Sequence, residues 1–226
     1  MNSSLFSYSD PYIITPSIFY DYSHCKRCVY ERIKHGGNRI LTRQSDFSIV
    51  ELGKKVHSIL EDLAMDKNID AISPQLPTAK GIAKEGLVKS RKFAGDVNCV
   101  IDGRFDLLLQ FPNGDVGIAD IKLIDTQKDV TVYYPQLWST KFAIENSRNN
   151  STCIANRIMR LGLLLVPAAG GAERDLYELC RRVLWHEVQD NQDSLRNLMV
   201  EIHAMLEKDV PPEHASGCRK SHEISN

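Results

Sequence analysis

The stretch that most constrains this chain is Pro112-Asn113-Gly114-Asp115, set between the apolar runs "DGRFDLLLQF" and "VGIADIKLID". Asn-Gly between two such runs is a strong hairpin signal. The two runs are therefore expected to pair as antiparallel strands. That places Asp106 on one arm and Asp120 and Lys122 on the other. Alternate residues of a strand share a face, so Asp120 and Lys122 point the same way. Aspartate suits an apolar strand poorly, and three charged groups brought together in one hairpin ask for a chemical reason.

The rest of the chain supplies a frame for the hairpin. Residues 14–35 read as a helix that starts at Thr15-Pro16 and stops at Gly36-Gly37. In "DFSIVELGKKVHSILEDLAM" the apolar residues Val50, Val56, Ile59, Leu60 and Leu63 fall largely at helical spacing. Residues 66–84 carry Pro74, Pro77 and Gly81 and read as a loop, and the first of three strands follows in "GLVKSRKF". After the hairpin come a helix over about 134–146, a buried strand in "RIMRLGLLLVPA", a strand in "RRVLWHEV" and a helix in "SLRNLMVEIHAMLEK". The order predicts an α/β fold with a mixed central sheet flanked by helices. One domain is expected, with an N-terminal helical segment 14–65, a core 85–187 and a C-terminal helix and tail 190–226.

Composition removes some functions. The formal net charge of −1 argues against a polycation that binds nucleic acid by bulk neutralisation. No apolar run long enough to span a membrane is present, and the N-terminus has neither a charged nor an apolar export region, so an intracellular, cytoplasmic protein is expected. Six cysteines without an export signal fit a reducing compartment. No phosphate-cradling G-x-x-x-x-G-K-[ST] loop occurs, so any unwinding of nucleic acid would come from a helicase partner.

Two carboxylates on neighbouring strands repel each other unless a cation sits between them. A hard divalent ion such as Mg²⁺ takes one or two carboxylates and leaves its other positions to water and phosphate. Such an ion lowers the pKa of bound water and stabilises charge on a reacting phosphate. Lys122 is placed to orient the water or to neutralise that charge. The pattern outlines a phosphodiester-cleaving site.

The same residues resemble the PD-(D/E)XK nuclease superfamily, in its RecB-like and Cas4-like branch. "DGRFDLLL" with "ADIK" fourteen positions on from Asp106, "GKKVHSIL", "YYPQLWSTKFAIE" and "SIFYDYSHCKRCVYERIKHG" occur in that branch's order. The likeness runs from about residue 14 to 218. It implies a restriction-endonuclease-like core and a Mg²⁺- or Mn²⁺-dependent deoxyribonuclease, an exonuclease on single-stranded ends, acting in DNA repair, recombination or defence. Asp106, Asp120, the Ile121 backbone carbonyl and His57 would hold the metal, Lys122 would position the water and Gln136 would brace the site. The branch often has an aromatic residue four positions after the glutamine; Thr140 stands there, with Phe142 or Tyr134 as substitutes. Glu85 and Glu145 are not selected as site residues. A DNA-binding or scaffolding subunit without turnover is the alternative reading.

Two features point beyond the hairpin. Relatives in this branch hold a [4Fe–4S] cluster with one N-terminal and three C-terminal cysteines, whereas this chain has Cys25 and Cys28 at the N-terminal end and Cys218 alone at the other. The spacings C-x₂-C and C-x₃-H also suit a zinc site made by Cys25, Cys28, Cys218 and His222. Cys99, Cys153 and Cys180 read as core residues. Residues 24–43 hold six Lys/Arg against one Glu. Lys26, Arg27, Arg32 and Lys34, with Tyr134 as a stacking ring, are candidates for contact with single-stranded DNA.

Overall fold

The computed structural model describes residues 10–36, 47–93, 95, 97–124, 129–148, 157–167, 176–216 and 218. Strands β1 (Tyr12–Ile14), β2 (Lys80–Lys89), β3 (Cys99–Gln110), β4 (Val116–Ile124), β5 (Arg160–Pro167) and β6 (Leu184–Val188) form one six-stranded mixed sheet. The helices are α1 (Ser17–His24), α2 (Lys26–His35), α3 (Phe47–Asp66), α4 (Tyr134–Glu145), α5 (Leu176–Cys180) and α6 (Gln192–Leu206). The chain is thus an α/β protein with a mixed sheet flanked by helices.

Strands β2, β3 and β4 run as an antiparallel meander, β5 lies parallel to β4, β6 is antiparallel to β5, and β1 joins β3 in parallel. The hairpin between β3 and β4 turns through Gly114 at φ 87°, a left-handed conformation that glycine adopts without a Cβ clash. The β3–β4 ladder runs from Gln110↔Val116 to Leu107↔Ala119 and stops there. The next pair in that register is Asp106 and Asp120. The ladder ends where two carboxylates would face each other, and like charges directly opposite destabilise a pair.

Both faces of the sheet are covered. One face packs Leu108, Ile118, Leu163 and Leu165 against α1, α2, α4 and α6. The other packs Leu107, Leu109, Ile121 and Leu164 against α3 and α5. Burial on both faces explains why "LGLLLV" is apolar without alternation. On α3 the stripe Val56, Leu60, Ala64 is fully buried, and that orientation carries His57 and Glu61 along its edge.

Some sequence expectations change. The helix expected over 14–35 is two helices and a short strand: Cys25 breaks it with extended angles (φ −156°, ψ 103°), and residues 12–14 pair with β3. The loop expected over 66–84 ends early, since β2 begins at Lys80. There Gly81 lies so close to the α3 backbone that a Cβ would come within 2.7 Å of the Ala64 oxygen. The short helix α5 carries too few residues for a periodic signal. Gly36 ends α2 at φ 66° as the stop signal predicts, and Asn191 caps α6 by accepting from Ser194 N at 2.9 Å.

Candidate active site

Where β3 and β4 part, the Asp106 side chain takes over the pairing that the backbone gives up: its Oδ2 accepts from Ile121 N at 2.8 Å. His57, reaching over from α3, has Nδ1 3.6 Å from the same oxygen. One helical turn later Glu61 completes a group, and ligand atoms of His57, Glu61 and Asp106 lie within 4.8 Å of one another. Asp120 and Lys122 share a face as expected, with Lys122 Nζ 2.7 Å from Asp120 Oδ2. Gln136, in the first turn of α4, donates to Asp120 Oδ1 at 3.2 Å. The Tyr133 ring lies under the ammonium, 5.2 Å from Nζ, and stacks on Tyr20. The sheet, α3 and the start of α4 thus bring His57, Asp106, Asp120, Lys122 and Gln136 together, with the Ile121 backbone hydrogen-bonded to the His57 ring.

Burial and like charge leave their mark on these groups. Glu61 is only 5% exposed. Its pKa rises to about 7, first from burial and then from the charges of Asp106 and Glu85. It has no hydrogen-bond or ion-pair partner among the described residues. Burial also raises Asp106, against the pull of Lys122 and the Ile121 amide, and lifts Asp120 to about 6 against Lys122. For Lys122 burial works downward, but Asp120 and Asp106 outweigh it and the ammonium stays charged. His57 is lowered by burial and by Lys122, so its ring is neutral at pH 7 and able to ligate.

Glu61 was not selected from the sequence, although the spacing His57-x₃-Glu61 on one helix was there to be read. In the sequence Tyr133 belongs to no motif of its own, whereas its neighbour Tyr134 fits the family resemblance. Tyr134 instead bonds His186 Nε2 at 2.6 Å and stacks on that ring. Thr140 is buried and donates to the Gln136 carbonyl at 2.9 Å, and Phe142 packs on Phe93, so neither supplies the missing aromatic. Glu145 serves Lys141 and the Ile158 amide. Glu85, set aside from sequence, pairs with Arg104, and its charge raises Glu61 and Asp106. It stands in β2 at φ 48°, a strained angle for a residue with a Cβ, across from Asp106 in the β2–β3 register.

A second group forms between the chain ends. Cys28 Sγ lies 3.3 Å from Cys218 Sγ, and His214 Nδ1 lies 3.7 Å from Cys25 Sγ and 3.9 Å from Cys28 Sγ. All four ligand atoms fall within 4.8 Å of one another, a Cys₃His group able to hold a metal. The fourth member is His214; His222, expected from spacing, lies outside the described residues. Burial pushes the Cys25 thiol up, but hydrogen bonds from the Ala215 and Cys28 backbones and the Cys28 and His214 side chains bring it down to about 6. Cys28 rises through burial and its two thiol neighbours. Cys99 and Cys180 are core residues as expected; Cys153 lies outside the described residues.

The basic segment is less free than its sequence suggests. Arg27 pairs with Glu31 at 2.9 Å, Arg32 with Asp21 at 2.6 Å, and Lys26 stands 3.9 Å from Glu201. Lys34 lies over the Tyr12 ring. Among the described residues, no helix is long and apolar enough to cross a membrane.

No protein-family model and no curated protein matches the chain. Among solved structures, the crystal structure of SSO0001 is similar, with a TM-score of 0.54 and 15% identity over 91% of this chain and 81% of that one. At that identity the likeness is one of fold.

Proposed function

We propose that the chain is a Mg²⁺- or Mn²⁺-dependent deoxyribonuclease with a restriction-endonuclease-like core, of the RecB-like branch of the PD-(D/E)XK superfamily. One observation carries the reading: at the point where β3 and β4 separate, the His57–Glu61–Asp106 group and the Asp120–Lys122 pair meet. A buried carboxylate beside a second carboxylate and a neutral imidazole suits a divalent cation, which would offset the burial and the like charges that raise the Glu61 pKa.

His57, Glu61 and Asp106 would hold the ion, with Asp120 and the Ile121 carbonyl beside them. Bound there, the ion supplies a water of lowered pKa and offsets charge on the phosphate. The chain's own residues do the rest. Asp120 keeps the Lys122 ammonium charged and in place. Gln136 fixes the free oxygen of Asp120, so the lysine has one position rather than several. From there Lys122 orients the attacking water and faces the negative charge that develops on the phosphate. The buried Tyr133 ring limits the lysine from the other side.

Single-stranded ends are the favoured substrate and repair, recombination or defence the setting, on the family resemblance. The test is cleavage of end-labelled single- and double-stranded DNA with Mn²⁺, Mg²⁺ or neither, beside Lys122→Ala. Metal-dependent cutting by the wild type alone supports the reading. Binding without cutting under every condition would replace it with a non-catalytic DNA-binding subunit.

A further inference from the structure

We propose that Cys25, Cys28, His214 and Cys218 hold a single zinc ion that fastens the C-terminal tail to the start of α2. The site is independent of the nuclease reading: it uses none of the carboxylate-site residues.

The four-thiolate set that an iron–sulfur cluster draws from this branch is not met here. Three sulfurs and one imidazole nitrogen converge instead, and they converge on one point. Ligands of one tetrahedral zinc lie roughly 3.8 Å apart between sulfurs and roughly 3.5 Å between sulfur and nitrogen, given bonds of about 2.3 and 2.0–2.1 Å. The observed separations of 3.3, 3.7 and 3.9 Å scatter about those values. Cysteines on a multi-iron cluster bind different irons and point outward from it, so their sulfurs stand farther apart. A limit of 4.8 Å across all four ligand atoms fits one ion and not a cluster.

Local structure is arranged around the convergence. The extended Cys25 between α1 and α2 turns its thiol toward that of Cys28, one turn into α2. Both are buried, at 3% and 5% exposure. From the other end, a turn closed by Cys218 N donating to the Ala215 carbonyl at 3.0 Å aims His214 and Cys218 back at them. The segment after α6 has no helix or strand up to residue 216. Its polar ties to the start of α2 and to α2 itself include the Tyr30 hydroxyl bond to the Lys208 carbonyl at 2.8 Å, the Ala215 backbone bond to Cys25 and the cysteine–histidine group itself. With four protein ligands and no open position, the ion is structural.

The experiment uses the full chain, expressed with both zinc and iron supplied and purified under anaerobic, reducing conditions. We expect one zinc per chain, no acid-labile sulfide and no visible charge-transfer colour. Replacement by Co²⁺ should give the absorption of a tetrahedral thiolate site. His214→Ala and Cys218→Ser should lose the zinc, His214→Cys should keep it as a four-cysteine site, and Asp106→Asn, Cys99→Ser and His222→Ala should retain it. Stoichiometric iron with sulfide would overturn the proposal, as would a folded chain that takes up neither zinc nor cobalt. Loss of zinc in His222→Ala with retention in His214→Ala would overturn the ligand assignment.

Discussion

The two clusters are opposites in construction. At the β3–β4 divergence the donors are carboxylates and one imidazole, carried on a strand pair and the helix packed against it, with Lys122 beside them. Between the chain ends the donors are three thiols and one imidazole, on a short helix and an irregular tail, with Cys28 and Cys218 separated by 190 residues. The first is mixed in charge and holds Glu61, a buried acid without a hydrogen-bond partner among the described residues, as the proposed metal-dependent site requires. The second is closed, with four ligands of the soft kind. A hard, catalytic ion and a soft, structural ion are the expected occupants.

The largest effect should come from Lys122. Lys122→Ala is expected to lower single-turnover cleavage by at least about 10²-fold, the scale for losing one group that faces transition-state charge. Zinc content should be unchanged. Next comes the structural cluster. Removing its metal with a high-affinity chelator, followed by restoring Mg²⁺, should lower the melting temperature by roughly 5–10 °C, a loss of about 2.5 kcal/mol at about 2–4 °C per kcal/mol for this chain length. If that treatment left the melting curve unmoved while Lys122→Ala alone abolished zinc, the two sites would have exchanged roles and the comparison would fail.

Glu61 sharpens the contrast, because its charge is a cost without an ion. Its folded-state pKa, about 7, lies above the ordinary carboxylate value. A carboxyl raised on folding lends its stability below the unfolded value near 4.5 and loses it as pH rises toward 7. In buffer free of Mg²⁺ and Mn²⁺, Glu61→Gln should therefore melt higher than wild type at pH 8 and about equally at pH 4.5. With Mn²⁺ present the wild type should gain more than the variant, and cleavage by the variant should fall. A variant no more stable at pH 8 would show that Glu61 is not an uncompensated charge. Gln136→Ala should be milder, about tenfold in rate, since Asp120 keeps Lys122 as its partner.

How much of this could be read beforehand follows the same division. Asp106, Asp120 and Lys122 are legible because strand alternation and an Asn-Gly turn fix their relative places over a short span, whereas His57 and Gln136 are singled out only by the family resemblance. Glu61 is equally local, one helical turn from His57, but belongs to no motif. The carboxylate pair that ends the β3–β4 ladder needed the register, which the turn alone does not settle. The tail was harder. C-x₂-C announced half a metal site, but two histidines follow at plausible spacing, His214 before Cys218 and His222 after it, and only tertiary packing chooses between them. The break at Cys25 lies inside a sequence with helical propensity on both sides, with no proline or glycine to mark it.

The smallest effect concerns the basic segment, where sequence and structure disagree about what the charges do. Read as a string, residues 24–43 resemble a track for a phosphate backbone. In the fold, Arg27 and Arg32 face Glu31 and Asp21, so moving either to a phosphate would first break an ion pair. Arg27 and Glu31 form a half-buried i,i+4 pair near the surface, which contributes about 1 kcal/mol or less, so Arg27→Ala should change stability little. Its effect on DNA separates the readings. A lysine or arginine that neutralises a phosphate of a single strand adds about 0.7 to the slope of log K against log salt. We expect Arg27→Ala to change that slope by much less, and Lys34→Ala, whose charge faces a ring rather than a carboxylate, to change it more. A full-size drop for Arg27→Ala would mean that Glu31 yields its partner to DNA, and the basic helix would then belong to the substrate path rather than to the support of the cysteine–histidine cluster.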